Sequence, residues 1–359
     1  MSGQEMKFRI DISMKGRKVI ELNKKVFAVG VFAAGLASFA QYASATEYPL
    51  TLENCGRTLT FDQAPNRVVS LGQSSTELLY LLGLADRVVG TAVWLGPVQE
   101  QFLDVNATIP RLADNDPSFE SVVGQKPDMV ATQFQWHIGP NGKVGTIDQF
   151  AELSIPVYTA PADCVGKDNT TGGDGTRIDA FSMDQIYQGI ADLSKIFDVE
   201  ERGADLIADF KAREKAAREK VAAVNGKGIS ALFWFSSAEI DVDPFVAGQK
   251  GAPAYVMSIL GVENVIDSDD EWPTVGWETI ARTNPDIIVI GKMDRRRFPA
   301  DDWELKMQFL KSDPVTRQMN AVKSGNIVVM DAQSMNPTMR TIEGIETLAK
   351  AIEAFEATQ

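Results

Sequence analysis

Residues 119–131 read FESVVGQKPDMVA, and residues 277–289 read WETIARTNPDIIV. Each stretch opens on an aromatic residue and a glutamate, reaches Pro-Asp seven residues after that glutamate, and continues into an apolar run. One Pro-Asp before a strand is only a turn. Two copies with equal spacing and similar flanks point to duplicated lobes. The flanks extend the parallel. Arg67 to Leu71 (RVVSL) passes through Gly72-Gln73-Ser74-Ser75 into the helix-period segment Thr76 to Leu82, and Leu81-Leu82-Gly83-Leu84 leads to a strand over Arg87 to Gly90. In the second half Ile229 to Phe235 (ISALFWF) ends in Ser236-Ser237, Tyr255 to Leu260 is helical, and Ile259-Leu260-Gly261-Val262 leads to Val265-Ile266-Asp267. Strands alternating with helices predict an α/β fold of two lobes with mainly parallel sheets.

Between the halves, Val199, Gly203, Leu206, Ile207, Phe210, Ala217, Val221 and Val224 recur at three and four residues, while Lys211 to Lys220 is densely charged. That pattern predicts an amphipathic helix of more than five turns, ending at Asn225-Gly226. The expected organisation is a signal peptide over 1–45, an N-terminal α/β lobe over 46–182, a connecting helical segment over 183–226 and a C-terminal α/β lobe over 227–359. A long helix between two lobes acts as a stiff strut, where crossing loops would act as a hinge.

Lys15, Arg17, Lys18, Lys24 and Lys25 precede the uncharged stretch Val26 to Ala40, and Ala43-Ser44-Ala45 follows. A basic segment, a short apolar core and an A-x-A site make a Sec-type signal peptide cleaved after Ala45, with Met1 or Met14 as the start. The apolar stretch is shorter than the ~20 residues a membrane span needs. Removing residues 1–45 takes away seven basic and three acidic residues and moves the formal charge from −14 to −18. Export without an anchoring cysteine at the new N-terminus points to a periplasm. Cys55 and Cys164 are then an even pair in an oxidising compartment, and a disulfide between them is expected.

Composition closes several routes. The 359 residues are 44% hydrophobic and 23% charged, a globular balance. With His137 the only histidine, no site of several imidazoles can form, and two cysteines cannot build a Cys₄ zinc centre. An acidic chain without a basic tract is not a nucleic-acid binder. There is no G-x-S-x-G elbow, phosphate loop or dinucleotide fingerprint, so no enzyme is expected, and no resident cofactor or metal.

The ordered set SLGQSSTELLYLLG, ESVVGQKPDMV, long helix, LGVENVID and ETIARTNPDIIVIG resembles the class III substrate-binding proteins of ABC importers, the iron-siderophore, haem and cobalamin receptors. The resemblance spans Asn66 to Phe355. It implies two α/β lobes joined by a helix, a ligand held between them, delivery to an ABC permease dimer in the inner membrane, and work as a monomer without catalysis. The expected ligand is a ferric siderophore-type chelate. Cobalamin or haem receptors of the same class, and an exported sensor on the same fold, remain alternatives.

In open parallel sheets the binding crevice lies beyond the carboxyl ends of the strands. Those ends nominate Gln73, Trp94, Gln133, Trp136, Trp234, Trp272, Asn336 and Arg340 as ligand-binding residues. Four tryptophans there suggest an aromatic-lined pocket for a large, partly apolar ligand. Arg340 offers a guanidinium to anionic oxygens, as does the triplet Arg295-Arg296-Arg297 more weakly. His137 could be a surface loop residue or touch ligand or iron. Tyr255 could pack its helix or act as an axial ligand in the haem alternative. Glu120 and Glu278 fall in helix first turns, which the macrodipole favours; the resemblance adds docking of each lobe onto permease arginines.

Overall fold

The computed structural model describes residues 45–170, 173–224 and 228–357. Apart from Ala45, the expected signal peptide lies outside the described residues, as does the helix stop at Asn225-Gly226. Among the described residues no helix is long and apolar enough to cross a membrane. An antiparallel hairpin comes first, β1 (Leu50–Asn54) and β2 (Arg57–Phe61). The first lobe then lays down β3 (Val68–Leu71), β4 (Val88–Ala92), β5 (Arg111–Ala113), β6 (Met129–Thr132) and β7 (Val157–Thr159). They form an all-parallel sheet ordered β5-β4-β3-β6-β7. Helices α1 (Gln73–Leu81), α2 (Leu103–Thr108), α3 (Phe119–Val123) and α4 (Ile147–Glu152) intervene. A small hairpin, β8 (Lys167–Asp168) and β9 (Thr176–Arg177), follows.

The long helix expected from Val199 onward is present as one continuous helix, and a second, shorter helix precedes it in the connecting segment. α5 (Met183–Ile196) stops at Phe197, the chain turns through Asp198 in a left-handed conformation, and α6 (Glu200–Ala223) runs on for 24 residues. α6 buries Gly203, Phe210, Ala217 and Val221 along one stripe. Near its start Arg202 donates to the Leu82 and Gly83 carbonyls of the first lobe at 3.1 and 3.3 Å. About three turns further on, Arg213 grips Glu346 of the second lobe through two bonds of 2.8 Å. One continuous helix therefore touches both lobes.

The second lobe holds β10 (Ser230–Ser236), β11 (Phe245–Val246), β12 (Glu263–Asn264), β13 (Ile287–Lys292) and β14 (Ile327–Asp331), with order β11-β10-β13-β14 and β12 beside the start of β10. All these pairings are parallel except β10 with β11. Helices α7 (Ala252–Leu260), α8 (Trp277–Thr283), α9 (Trp303–Ser312), α10 (Asn320–Ser324) and α11 (Thr341–Glu356) cover it. Setting β11 aside, the order β12-β10-β13-β14 repeats the first lobe's β4-β3-β6-β7.

The duplicated Pro-Asp has a physical job in each lobe. Asp128 accepts from the backbone N–H groups of Asn66 and Arg67 at 2.8 and 2.9 Å, fixing the entry to β3. Asp286 accepts from the Ser230 N–H and hydroxyl at 2.9 and 2.7 Å, fixing the entry to β10. Each aspartate starts one central strand and hooks the first residues of its neighbour, which sets their register.

Cys55, in the turn of the first hairpin, is bonded to Cys164, 109 residues away, and no described cysteine is free. Asn54 beside it pairs both backbone groups of Thr159 at 2.8 Å, so the hairpin is tied to the edge of β7 twice. Thiol titration of the denatured, unreduced protein should find no free thiol. Replacing both cysteines by serine should cost about 4–5 kcal/mol in the chain-entropy account, measured by denaturant unfolding.

Candidate functional site

The carboxyl ends of the strands in both lobes face a cleft of about 640 Å³. On the first lobe Val93 and Leu95 follow β4, and Gln133, Phe134 and Trp136 follow β6. On the second, Phe235 lies near the end of β10, just before Ser236; Met293, Asp294, Arg295, Arg297 and Phe298 follow β13, and Ala332, Gln333 and Asn336 follow β14. Trp272 lies flat on Phe235, with ring centroids 4.5 Å apart and planes 26° from parallel. Trp136 is half-buried opposite, with Phe134 edge-on at 6.2 Å and the Lys143 ammonium 4.4 Å from its ring centre. Its indole N–H has no hydrogen-bond partner among the described residues.

Gln133 and Asn336 also face the cleft. Gln133 accepts from Ser74 N–H at 2.9 Å, and its own amide donors are uncommitted. Asn336 donates to the Ala332 carbonyl at 2.7 Å and keeps its side-chain oxygen free. Gly72 makes Gln133's position possible: its φ is +129°, and a Cβ there would come within 2.3 Å of the Gln133 Cβ.

Four nominated residues are placed elsewhere. Trp234 is 0% exposed: it meets Trp277 edge-on at 4.6 Å and donates to the Ser237 hydroxyl at 2.9 Å. Side chains alternate along a strand, so Trp234 points with Leu232 into the core beneath α8 and α9, and its neighbour Phe235 becomes the cleft wall. Trp94 is buried too, donating to the Thr91 hydroxyl at 3.2 Å with the Arg111 guanidinium 4.7 Å from its ring centre. Gln73 is buried and spends its amide on the rim loop, accepting from Leu95 and Gly96 N–H at 3.0 and 2.9 Å and donating to the Pro97 carbonyl at 2.8 Å. Arg340 is consumed by an ion pair described below.

Nor do the two metal-contact candidates reach the cleft. His137 is fully buried behind Trp136, with its Nε2 3.0 Å from Asp116. Burial pulls its pKa below the ordinary value, against the pull of Asp116. Tyr255 donates to Glu214 at 2.8 Å across the contact of α7 with α6, a packing role. Among the described residues no group of acidic, histidine or cysteine side chains could hold a metal ion.

Residues 68–334 match the periplasmic binding protein family. The chain belongs to this family. It is 23% identical to an ABC transporter substrate-binding lipoprotein of Bacillus subtilis over 85% of this chain and 86% of that protein. It is likewise 23% identical to the vitamin B12-binding protein of Pectobacterium carotovorum, over 63% and 71% of the two chains. Among solved structures it resembles an ABC-type Fe³⁺-hydroxamate transport system protein of Saccharomonospora viridis, with a TM-score of 0.65, 24% identity, and 85% and 99% of the two chains covered. The family and the two-lobed α/β class are those expected from the sequence.

In this periplasmic binding protein the lobes are joined by a buried charge pair that the sequence did not announce. Glu77 of α1 and Arg340 at the start of α11 face each other with side chains 1% and 7% exposed. Arg340 Nε donates to Glu77 Oε2 at 3.0 Å, and Nη2 reaches both Glu77 Oε1 and the Pro97 carbonyl. Asp331 stands 3.3 Å from Nη1. Burial works against the guanidinium charge, but the Glu77 hydrogen bonds and the surrounding carboxylates hold its pKa above the ordinary value. Glu77 also accepts from Gln73 and from Gln99 N–H at 3.1 Å each. The readable signal was an acid in an otherwise apolar helix, TELLYLL, whose buried charge must find a cation.

Arg295, at the mouth, donates from Nη1 to the Trp94 and Asp114 carbonyls, both at 2.6 Å, and so also crosses between lobes. Arg296 is held by Asp302 at 2.5 Å. Arg297 rests 5.2 Å from the Phe298 ring centre, and among the described residues neither it nor Lys292 pairs with a carboxylate. These two are the uncommitted cations of the cleft.

Arg340→Ala, which leaves Glu77 buried and unpaired, should destabilise by about 3–5 kcal/mol, and Glu77→Gln with Arg340→Met should recover much of that loss. Trp234→Ala should cost about 3–5 kcal/mol as a core truncation. Phe235→Ala should cost less, because its ring already faces the cleft. Urea unfolding of the four variants checks all of this.

Proposed function

We propose that this periplasmic binding protein is the solute-capturing component of an ABC importer, that it holds a ferric siderophore-type chelate between its lobes, and that it hands the chelate to a dimeric inner-membrane permease. The observation that carries the reading is the cleft itself. Its walls are Trp136, Phe134, Phe235 and Trp272, and its edge carries Lys292 and Arg297, cations without a carboxylate partner among the described residues. Flat aromatic walls suit a large chelate with apolar faces, and free cations suit its anionic oxygens. The Fe³⁺-hydroxamate transport protein with the same fold supports this choice. Cobalamin is the second reading, favoured by the relative named for vitamin B12 and by the loss of Arg340 as an anion anchor. Location in the periplasm, after removal of the segment before Thr46, belongs to the same proposal.

Glu120 and Glu278 are both exposed in first turns, of α3 and α8, each in the segment before a central strand. Hydrogen bonds from its own backbone N–H and the Ser118 hydroxyl hold the Glu120 carboxyl below the usual range. The duplication presents two similar acids at equivalent places on two lobes, a pattern that two similar permease subunits can match by symmetry. Exposed charges of this kind orient an encounter more than they tighten it.

Tryptophan fluorescence titration with a ferric trihydroxamate, cyanocobalamin and haemin tests the ligand. The ferric chelate should quench saturably, and Trp136→Ala should weaken it by something on the order of 1–3 kcal/mol. Neutralising Lys292 and Arg297 together to Gln should weaken an anionic chelate and spare cyanocobalamin. Tight binding of cyanocobalamin alone would establish the second reading. For docking, Glu120→Ala with Glu278→Ala should leave affinity intact and reduce uptake more than either change alone. Normal uptake by the double variant would return both residues to helix capping.

A further inference from the structure

Beyond Phe134 and Trp272 the aromatic cleft meets a second cavity of about 70 Å³. Gln133, Phe134, Asp174, Trp272 and Asn336 line both spaces. The inner cavity is bounded by Arg177 of β9 and Gln185 of α5. The Arg177 side chain is 1% exposed. Its Nη2 donates to the Ala162 carbonyl at 2.9 Å and its Nε makes an ion pair with Glu271 at 3.3 Å without a hydrogen bond, yet among the described residues Nη1 has no acceptor. Gln185 is 8% exposed and donates to the Val165 carbonyl at 3.2 Å, yet among the described residues its Oε1 has no donor. A folded chain seldom leaves a buried donor and a buried acceptor unpaired beside one cavity.

The charges around this chamber are already balanced or slightly acidic. Lys167 is paired with Asp163 at 2.7 Å and Asp174 at 3.0 Å, and Arg177 with Glu271. A carboxylate entering would add a fourth acid to three, and an ammonium would meet the Arg177 guanidinium. A neutral group that both accepts and donates satisfies the two orphaned atoms without unbalanced charge. The volume admits an arm of a few heavy atoms and no ring system.

We infer that this inner chamber is a subsite for an uncharged carboxamide-type arm of the bound solute, whose carbonyl oxygen accepts from Arg177 Nη1 and whose N–H donates to Gln185 Oε1. The inference rests on the cleft being the solute site, and it narrows the solute class to molecules that carry a short primary or secondary amide beside the bulky group.

Crystals of the unliganded protein soaked in acetamide, and separately in acetate at the same concentration, read the chamber directly. Acetamide should occupy it and acetate should not. Gln185→Leu and Arg177→Met should each remove the acetamide. Gln185→Leu keeps the Arg177–Glu271 pair, so it decides the matter if the arginine variant fails to fold. In solution, Gln185→Leu should weaken an amide-bearing ferric chelate about tenfold and leave the same chelate capped as a methyl ester unchanged. Acetate bound as readily as acetamide, acetamide retained in Gln185→Leu, water alone in both soaks, or equal loss for both chelates would overturn the assignment. The soaks need no chelate, so a wrong choice of cleft ligand and a wrong subsite give different results.

Discussion

The pairing of Glu77 with Arg340 is the contact on which the cleft depends. Two charges this deeply buried are costly unless each finds the other and the leftover lone pairs are filled. Here that requirement recruits Gln73, the Gln99 N–H and the Pro97 carbonyl, so the loop Leu95–Pro97 at the cleft rim is shaped by the needs of an ion pair. The two partners lie 263 residues apart, on the first helix of one lobe and the last helix of the other. Separating the lobes at this point would expose neither charge cheaply nor leave the rim loop its hydrogen bonds. Gln99 and Glu343, bonded at 2.6 Å nearby, widen the same seam.

Around that seam the other cross-lobe contacts are distributed so that the cleft remains open between them. α6 spans the lobes on one side through Arg202 and Arg213. Arg295 crosses at the mouth to the carbonyls of Trp94 and Asp114. The Arg177–Glu271 pair closes the inner end. A continuous helix bends only by giving up backbone hydrogen bonds, and salt-bridged seams move as units. The aromatic walls are thereby held at a set spacing, which spares an incoming solute the cost of ordering them.

Much of the fold was legible because it rests on repeated local chemistry. The two Pro-Asp stops are readable as turns, and the structure shows why they recur: Asp128 and Asp286 each pin the neighbouring strand's start. The site was legible at the level of strand ends and not at the level of side chains. Which of Trp234 and Phe235 faces the cleft is decided by a one-residue phase in a run apolar on both faces, ISALFWF, where no alternation marks the phase. Trp94 and Gln73 sit at correct places in the chain, but their side chains serve the core and the rim loop. Arg340 was readable as a functional arginine only while its partner stayed hidden, since Glu77 lies in a distant segment and nothing local links the two. The long helix α6 was legible because its apolar spacing begins at Val199, just past the left-handed Asp198.

The central claim is that the lobes are pinned before any solute arrives. Spin labels placed on α3 and α8, one on each lobe, would give the distance across the cleft by pulsed electron resonance, with and without saturating ligand. The account predicts one narrow distribution that stays in place on loading, and that broadens when Arg340 is replaced by Ala. A broad or bimodal distribution in the unliganded wild-type protein, collapsing to a shorter distance on loading, would contradict it.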